Sequence, residues 1–129
     1  MKQDIQVVAA VIRDRGKVFA TQRGYGPHKD GWEFPGGKVE PGETPEQALI
    51  REIQEELDTV IAVGEPIDQV AWEEENRRYT LTCFLCQVQS GGLTLREHES
   101  ARWLGKDEAD QVDWLPADRR VIEKGGVWE

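Results

Sequence analysis

Apolar positions in this chain occur mostly in short runs bounded by glycine, proline or charged residues, which is typical of β-strands. The first two runs, residues 5–12 and 18–22, flank a turn at residues 14–17 and predict a hairpin. Further strands are predicted over residues 59–63, 67–73, 78–89 and 101–104. The pattern therefore predicts a protein rich in sheet.

Two segments interrupt this pattern with helical features. In the first, residues 45–57, Thr44 is placed to cap the helix, Pro45 suits the first helical position, and Gln47 completes a capping box. A second helix is predicted over residues 116–124. Strands on both sides of a central helix, with another helix late, predict an α/β fold: an α/β/α sandwich with a mixed sheet. Because no repeat or linker divides residues 1–129, we expect a single domain.

The segment from Gly24 to Gly42 contains too many glycines and prolines for regular structure. We interpret it as a long ordered loop that includes a short strand at residues 32–34. Long loops in compact domains usually carry function, so this segment is expected to contribute to a site.

Composition narrows the class of function. The chain has 25 Asp and Glu against 16 Lys and Arg, a net charge of −9, and this acidity argues against binding a nucleic-acid polymer through its phosphates. The apolar run at residues 7–12 is too short for a signal peptide or a membrane span, so no membrane association is predicted. Cys83 and Cys86 fall in one predicted strand and should point to opposite faces, as buried thiols in a reducing cytoplasm.

Three glutamates of the first helix, Glu52, Glu55 and Glu56, fall within one arc of roughly 100°. Taken alone, they are typical of a solvated helix face. However, Glu52 and Glu56 repel each other near the negative end of the helix, so something cationic should offset them. Clustered carboxylates are the ligands that Mg²⁺ or Mn²⁺ requires.

The surrounding spacing makes this interpretation specific. Gly37, Glu43 and the segment from Arg51 to Glu56 resemble the Nudix box, G-x5-E-x7-R-E-U-x-E-E-x-G-U, in which U is apolar. Asp58 and Thr59 depart from the last two positions. Asp tolerates the left-handed conformation of the missing glycine, so we expect the turn to survive.

The resemblance implies a role for each matching residue. Arg51 and Glu43 would orient the ligands, although Arg51 could instead form an exposed pair with Glu55. Glu52 is the first candidate for the general base and Glu97 the second; Glu97 matches the family's later acid better than Glu99, but could be a solvated loop residue. The implied metal ligands are Glu52, Glu55, Glu56, Glu97 and the backbone carbonyl of Gly37.

The segments 32–40, 42–48 and 115–118, together with Arg23 at the end of the second strand, extend the resemblance to the MutT and CTP-pyrophosphohydrolase-like branch. This implies Mg²⁺-dependent hydrolysis of a (d)NTP to (d)NMP and pyrophosphate by attack at the β-phosphorus. Asp118 could accept from the N4 amino group of cytosine, or could merely cap the last helix. Arg23 could contact phosphate or base, and Trp32 or Phe34 could pack beside the nucleotide or in the core.

The predicted function is therefore hydrolysis of cytidine-type or damaged nucleoside triphosphates, in nucleotide-pool sanitation. Other specificities of the same family, such as 8-oxo-dGTP, dinucleoside polyphosphates or ADP-sugars, remain open. A Nudix module that binds nucleotides without turnover is also open, although it would predict the loss of a box glutamate. The sequence makes no prediction of oligomeric state.

Overall fold

A computed structural model describes residues 3–128. Its two α-helices are α1 (Pro45–Leu57) and α2 (Pro116–Lys124), and short 3₁₀ helices cover Lys106–Gln111 and Gly126–Trp128. No helix in this range is long and apolar enough to cross a membrane. The strands are β1 (Gln3–Asp14), β2 (Lys17–Arg23), β3 (Trp32–Glu33), β4 (Gly36–Lys38), β5 (Val60–Glu74), β6 (Arg77–Ser90) and β7 (His98–Gly105).

The strands form a mixed sheet with the order β3-β2-β1-β6-β5, in which β4 also pairs with β1 and β7 with β2. β1 runs parallel to β6 and antiparallel to β2 and β4. The parallel pair lies at the centre of the sheet, where strands are usually covered on both faces. The predicted hairpin and mixed sheet are confirmed.

Each face of the sheet packs against one helix. In β1, Val8, Ala10 and Ile12 belong to the core that includes α1, whereas Ala9 and Val11 belong to the core that includes Val121 of α2. Side chains alternate across a strand, so an unbroken apolar run serves both cores. The predicted α/β class and the helix on each face are confirmed.

The two cysteines follow the same alternation. Cys83 lies in the core beside α2 and Cys86 in the core beside α1. Both are buried and unpaired, and burial raises the pKa of each thiol, that of Cys86 to about 12. Two protonated thiols on opposite faces cannot form a shared redox or metal pair.

Helix α1 has the predicted ends. The Thr44 hydroxyl accepts from the Gln47 amide, and the Gln47 side chain accepts from the Thr44 amide, completing the capping box. Asp58 takes the left-handed conformation, with φ of 51°, and its amide donates to the Gln54 carbonyl. Thr59 is fully buried, but its hydroxyl bonds to the carbonyl of Leu57 and the amide of Leu93, which explains how it replaces an apolar residue.

Three predictions of strand boundaries were wrong. The segments 59–63 and 67–73 form one strand, β5, because register shifts around Pro66 absorb the irregularity instead of ending the pairing. Strand β4 lies in the segment predicted as loop, where glycine allows a close approach to β1: a Cβ on Gly36 would overlap the Val8 carbonyl. Strand β7 begins at His98 rather than residue 101.

Candidate active site

Arg51 lies at the centre of a cluster of acids at the exposed edge of helix α1. Its Nε and Nη2 donate to the two carboxylate oxygens of Glu43 at 2.7 and 3.0 Å, while its Nη1 contacts Glu52 at 2.7 Å and Glu55 at 3.2 Å. The bond from Arg51, followed by one from the Glu40 amide, lowers the pKa of Glu43 to about 2. The structure therefore gives Arg51 the contacts expected of an orienting residue as well as the alternative pair with Glu55.

Glu56 lies on the inner side of the same helix and is only 9% exposed. Its Oε1 is 3.1 Å from Nε2 of His98, whose side chain is also buried. Burial raises the pKa of Glu56 well above its usual range, and the hydrogen bond and charge of Glu52 add to this effect. Because Glu56 is buried beside Glu52, the two groups do not both stay charged unless a cation lies next to them; otherwise Glu56 keeps its proton.

Gly37 of β4 lies directly against the Glu52 carboxylate. A Cβ at Gly37 would overlap the Glu52 carboxylate, so only glycine allows the strand to pass so close to the acid. This approach brings the backbone of Gly37 and the Glu52 side chain together, although the two residues are distant in sequence.

Glu97 belongs to the loop before β7 and accepts a hydrogen bond from the Tyr25 hydroxyl at 2.8 Å. It borders a cavity of about 340 Å³, and its negative charge helps to raise the pKa of Glu56. Glu99, the alternative acid, instead contacts Lys29 at 3.4 Å. The cavity is lined by Gly24, Tyr25, Arg96, Glu97, His98 and Glu99.

The donor set suits a hard divalent cation, since Glu52, Glu55 and Glu56 supply carboxylate oxygens and Gly37 packs against Glu52. Nevertheless, among residues 3–128 no three His, Cys, Asp or Glu side chains form a ready metal site. Protein partners explain this, because Glu52 is paired with Arg51 and Glu56 with His98. The residues fit such an ion in chemistry, but some of the carboxylates would have to turn towards it.

A second polar group lies at the end of β2. Arg23 forms a two-point pair with Glu33, at 2.7 and 3.1 Å, and also donates to the Pro27 carbonyl. The hydrogen bond to Glu33 outweighs burial and raises the pKa of Arg23. These bonds hold the loop after β2 against β3.

Asp118 lies behind this pair and is 6% exposed. Its Oδ1 accepts from the backbone amide of Phe34 at 3.0 Å, and burial raises its pKa to about 8. Trp32 and Phe34 are buried in the core beside α2. Both aromatic residues therefore contribute to the core, whatever contact they also make with a ligand.

The alternative interpretation of Asp118 as a helix cap was wrong. Helix α2 begins at Pro116, with Leu115 in the capping position, so Asp118 is already inside the first turn. Its carboxylate reaches across to β3 and the residue after it because α2 packs on that face of the sheet.

Three residues of these groups were not predicted from the sequence: Tyr25, Glu33 and His98. Tyr25 lies in the glycine-rich segment, Glu33 in its short strand, and His98 directly follows Glu97. Their positions in the sequence carry no signal of their partners, because each contact joins residues from different elements.

Sequence comparison finds relatives that match nearly the whole chain. The chain is 39% identical over 120 residues to the CTP pyrophosphohydrolase of Escherichia coli K12, covering 92% of this chain and 89% of that protein. It is 33% identical over 122 residues to the 8-oxo-dGTP diphosphatase of the same organism, covering 93% and 95%.

Solved structures share the fold. The solution structure of the E. coli ORF135 protein superposes with a TM-score of 0.83 at 38% identity, over 95% of this chain and 88% of that one. A MutT NUDIX hydrolase from Burkholderia pseudomallei gives 0.82 at 25% identity, over 96% and 99%. The NUDIX domain family matches residues 2–125. The sheet between two helices is the Nudix fold, and the chain belongs to the Nudix hydrolase family.

Proposed function

We propose that this chain is a Mg²⁺-dependent nucleoside triphosphate pyrophosphohydrolase that releases (d)NMP and pyrophosphate, with Mn²⁺ as a possible substitute. The observation that carries the proposal is the buried carboxyl group of Glu56 next to the half-buried carboxylate of Glu52, which itself packs against Gly37. The relatives named for CTP and 8-oxo-dGTP hydrolysis support the same class of substrate.

In this proposal Glu52, Glu55, Glu56, Glu97 and the Gly37 carbonyl hold the cation. When bound, it would neutralise phosphate charge and lower the pKa of a water molecule. Bridging charge is needed because a triphosphate carries about four negative charges and would be repelled by an acidic protein. Arg51 and Glu43 keep Glu52 in place through the two-point pair described above.

A base must take a proton from the attacking water. Glu52 is the first candidate because Arg51 fixes one of its oxygens while the side chain stays next to Glu56. Glu97 is the second, because it borders the cavity and Tyr25 fixes its orientation. Single-turnover rates of E52Q and E97Q, compared at saturating Mg²⁺, should show a much larger loss for the variant that lacks the base.

The substrate preference is proposed from Asp118. A carboxyl group can accept from the N4 amino group of cytosine, and in the protonated form it can also donate to the ring nitrogen N3. Since burial raises the pKa of Asp118 to about 8, the protonated form is abundant at neutral pH. Cytidine-type or modified pyrimidine nucleotides therefore suit this group, with 8-oxo-dGTP as the main competitor because of the second relative.

The decisive experiment is a panel of canonical, oxidised and methylated (d)NTPs assayed for pyrophosphate release with Mg²⁺ and with EDTA. We expect Mg²⁺-dependent release that is fastest for a cytidine-type nucleotide, and in H₂¹⁸O the label should enter pyrophosphate. Faster hydrolysis of 8-oxo-dGTP than of every cytidine nucleotide would overturn the base preference. Binding of nucleotides without turnover of any would overturn the enzymatic proposal.

A further inference from the structure

His98 lies where the start of β7, the end of β2 and helix α1 meet. As the first residue of β7 it is paired with Arg23, beside a register shift at the end of β2. Gly24 packs closely on the backbone of residues 97–99, where an added Cβ would lie 3.2 Å from the Glu97 carbonyl oxygen. The backbone of His98 is therefore held by strand pairing and by a close contact.

The side chain of His98 points from this junction to helix α1. Its Nε2 lies 3.1 Å from Glu56 Oε1, and the side chains of His98 and Glu56 are only 6% and 11% exposed. A hydrogen bond to a carboxylate is stronger in such a buried place than in water. This contact therefore restricts the direction of the Glu56 carboxylate.

The other ring nitrogen identifies the donor. Within residues 3–128, Nδ1 of His98 is buried and has no hydrogen-bond partner. A neutral imidazole carries one N–H, and placing it on Nε2 satisfies the carboxylate and leaves Nδ1 as an unpaired acceptor. With Glu56 ionised as a metal ligand, the opposite tautomer would leave a buried donor unpaired and turn two acceptors towards each other.

Two backbone hydrogen bonds also join the loop before β7 to helix α1. The Arg96 amide donates to the Glu56 carbonyl at 3.1 Å, and the Thr94 amide donates to the Leu57 carbonyl at 2.8 Å. The loop that carries Glu97 is thus tied to the end of α1 through its backbone, while His98 adds the bond to the side chain.

We propose that His98 is a positioning residue of the metal site, which fixes Glu56 through Nε2–H and keeps Glu97 in register with helix α1. The inference rests on the proposed function, since it takes Glu56 and Glu97 as ligands. His98 itself contacts neither the cation nor the substrate in this role; it acts through Glu56.

The test is Mn²⁺ binding to the nucleotide-free protein, followed by electron paramagnetic resonance, with two substitutions of His98. H98Q keeps an N–H donor at nearly the position of Nε2, whereas H98N carries its donor too close to the backbone to reach Glu56. We expect H98N to weaken Mn²⁺ binding about 10- to 100-fold, as does loss of other groups that orient ligands. H98Q should stay within about threefold of wild type.

Kinetics should show the same difference. In H98N the Mg²⁺ concentration for half-maximal activity should rise by about the factor seen for the Mn²⁺ Kd, while kcat at saturating Mg²⁺ falls less. H28N is the matched control, because His28 is the other histidine, is exposed, and has a φ of 63° that Asn tolerates. It should match wild type in both measurements.

A purely structural role would lower the melting temperature of H98N and H98Q without changing the Mn²⁺ Kd, and that result would overturn the inference. Equal losses of Mn²⁺ affinity in both variants would overturn it too. If H98N does not fold, H98Q decides: a Kd within threefold supports the inference and a tenfold loss contradicts it. If the wild-type chain binds no Mn²⁺, the proposed metal site fails together with this inference.

Discussion

The two helices each contribute one buried carboxyl group, and the two groups have opposite surroundings. Glu56 of α1 is 9% exposed and Asp118 of α2 is 6% exposed, and burial is the main cause of the raised pKa in both. Around Glu56 the further contributions come from other acids, whereas Asp118 accepts from the Phe34 amide and is near Arg23.

Burial alone therefore does not determine what a carboxyl group can do. An acid surrounded by acids is suited to share a cation, because positive charge relieves all of them at once. An acid held by a backbone amide is suited to exchange directional hydrogen bonds with a ligand. The predictions below test this division of roles between Glu56 and Asp118.

The largest effect is expected for E56Q. The amide keeps the shape of the side chain but removes a charged oxygen, so we expect pyrophosphate release to fall by at least about 100-fold, since even groups that only orient ligands cost 10- to 100-fold. Without metal, the melting temperature should not fall. The matched control is E46Q in the exposed first turn of the same helix.

Wild-type activity in E56Q would show that Glu56 is not a metal ligand but a buried acid like Asp118. Equal loss in E46Q would show that the effect is general to the helix.

A smaller loss is expected for R51K. Lysine keeps the charge but cannot form the two-point bond to Glu43 while also reaching Glu52, so kcat/KM should fall about 10- to 100-fold. The assay is hydrolysis over a range of Mg²⁺ concentrations. R119K is the control, because Arg119 forms a longer pair, 3.6 Å, with the exposed Asp110. An R51K enzyme equal to wild type would favour the exposed pair with Glu55 as the main contact of Arg51.

On the other face of the sheet, D118N should change the preference between nucleotides rather than the hydrolysis step itself. If the oxygen of asparagine keeps its bond from the Phe34 amide, its NH₂ group replaces Oδ2, so the side chain can donate to a cytosine edge but that group cannot accept from the N4 amino group. We expect kcat/KM for the preferred cytidine nucleotide to fall about tenfold, within the usual range for one base contact, with little change for 8-oxo-dGTP. Equal losses for both nucleotides would contradict a role for Asp118 in reading the base; D110N is the exposed control.

The smallest effect concerns stability and pH. The pKa of Asp118 is about 8 in the folded protein, above its value in the unfolded chain. As the pH rises, Asp118 therefore loses its proton first in the unfolded chain. The stability that the neutral carboxyl group contributes to the folded state declines between about pH 4 and pH 8. D118N has no such loss, so its melting temperature should exceed that of wild type increasingly as the pH rises over this range. A gain of about 1 kcal/mol would correspond to roughly 3 °C. A constant difference from pH 4 to pH 8 would contradict the raised pKa.

The sequence predicted local features well because their causes are local. The strand over the apolar run of β1, the capping box of Thr44 and the left-handed turn at Asp58 depend on neighbours within a few residues. The spacing of the glutamates likewise placed Glu52 and Glu56 together on α1.

Contacts between elements could not be predicted in the same way. The partner of Glu56 is His98 because β7 starts three residues earlier than the apolar pattern suggested, and the partner of Asp118 is an amide on another layer. The continuity of β5 through Gly64 and Pro66 also depends on its neighbour, because β6 holds the strand while the register shifts.

The irregular strand β5 also affects how the protein meets other chains. It ends the β3-β2-β1-β6-β5 order, and an edge strand of fifteen residues could recruit a strand from another molecule. Pro66 offers no backbone donor, and the register shifts around it break the even spacing that an added strand would need. The same residues that obscured this strand in the sequence therefore protect the edge of the sheet against aggregation.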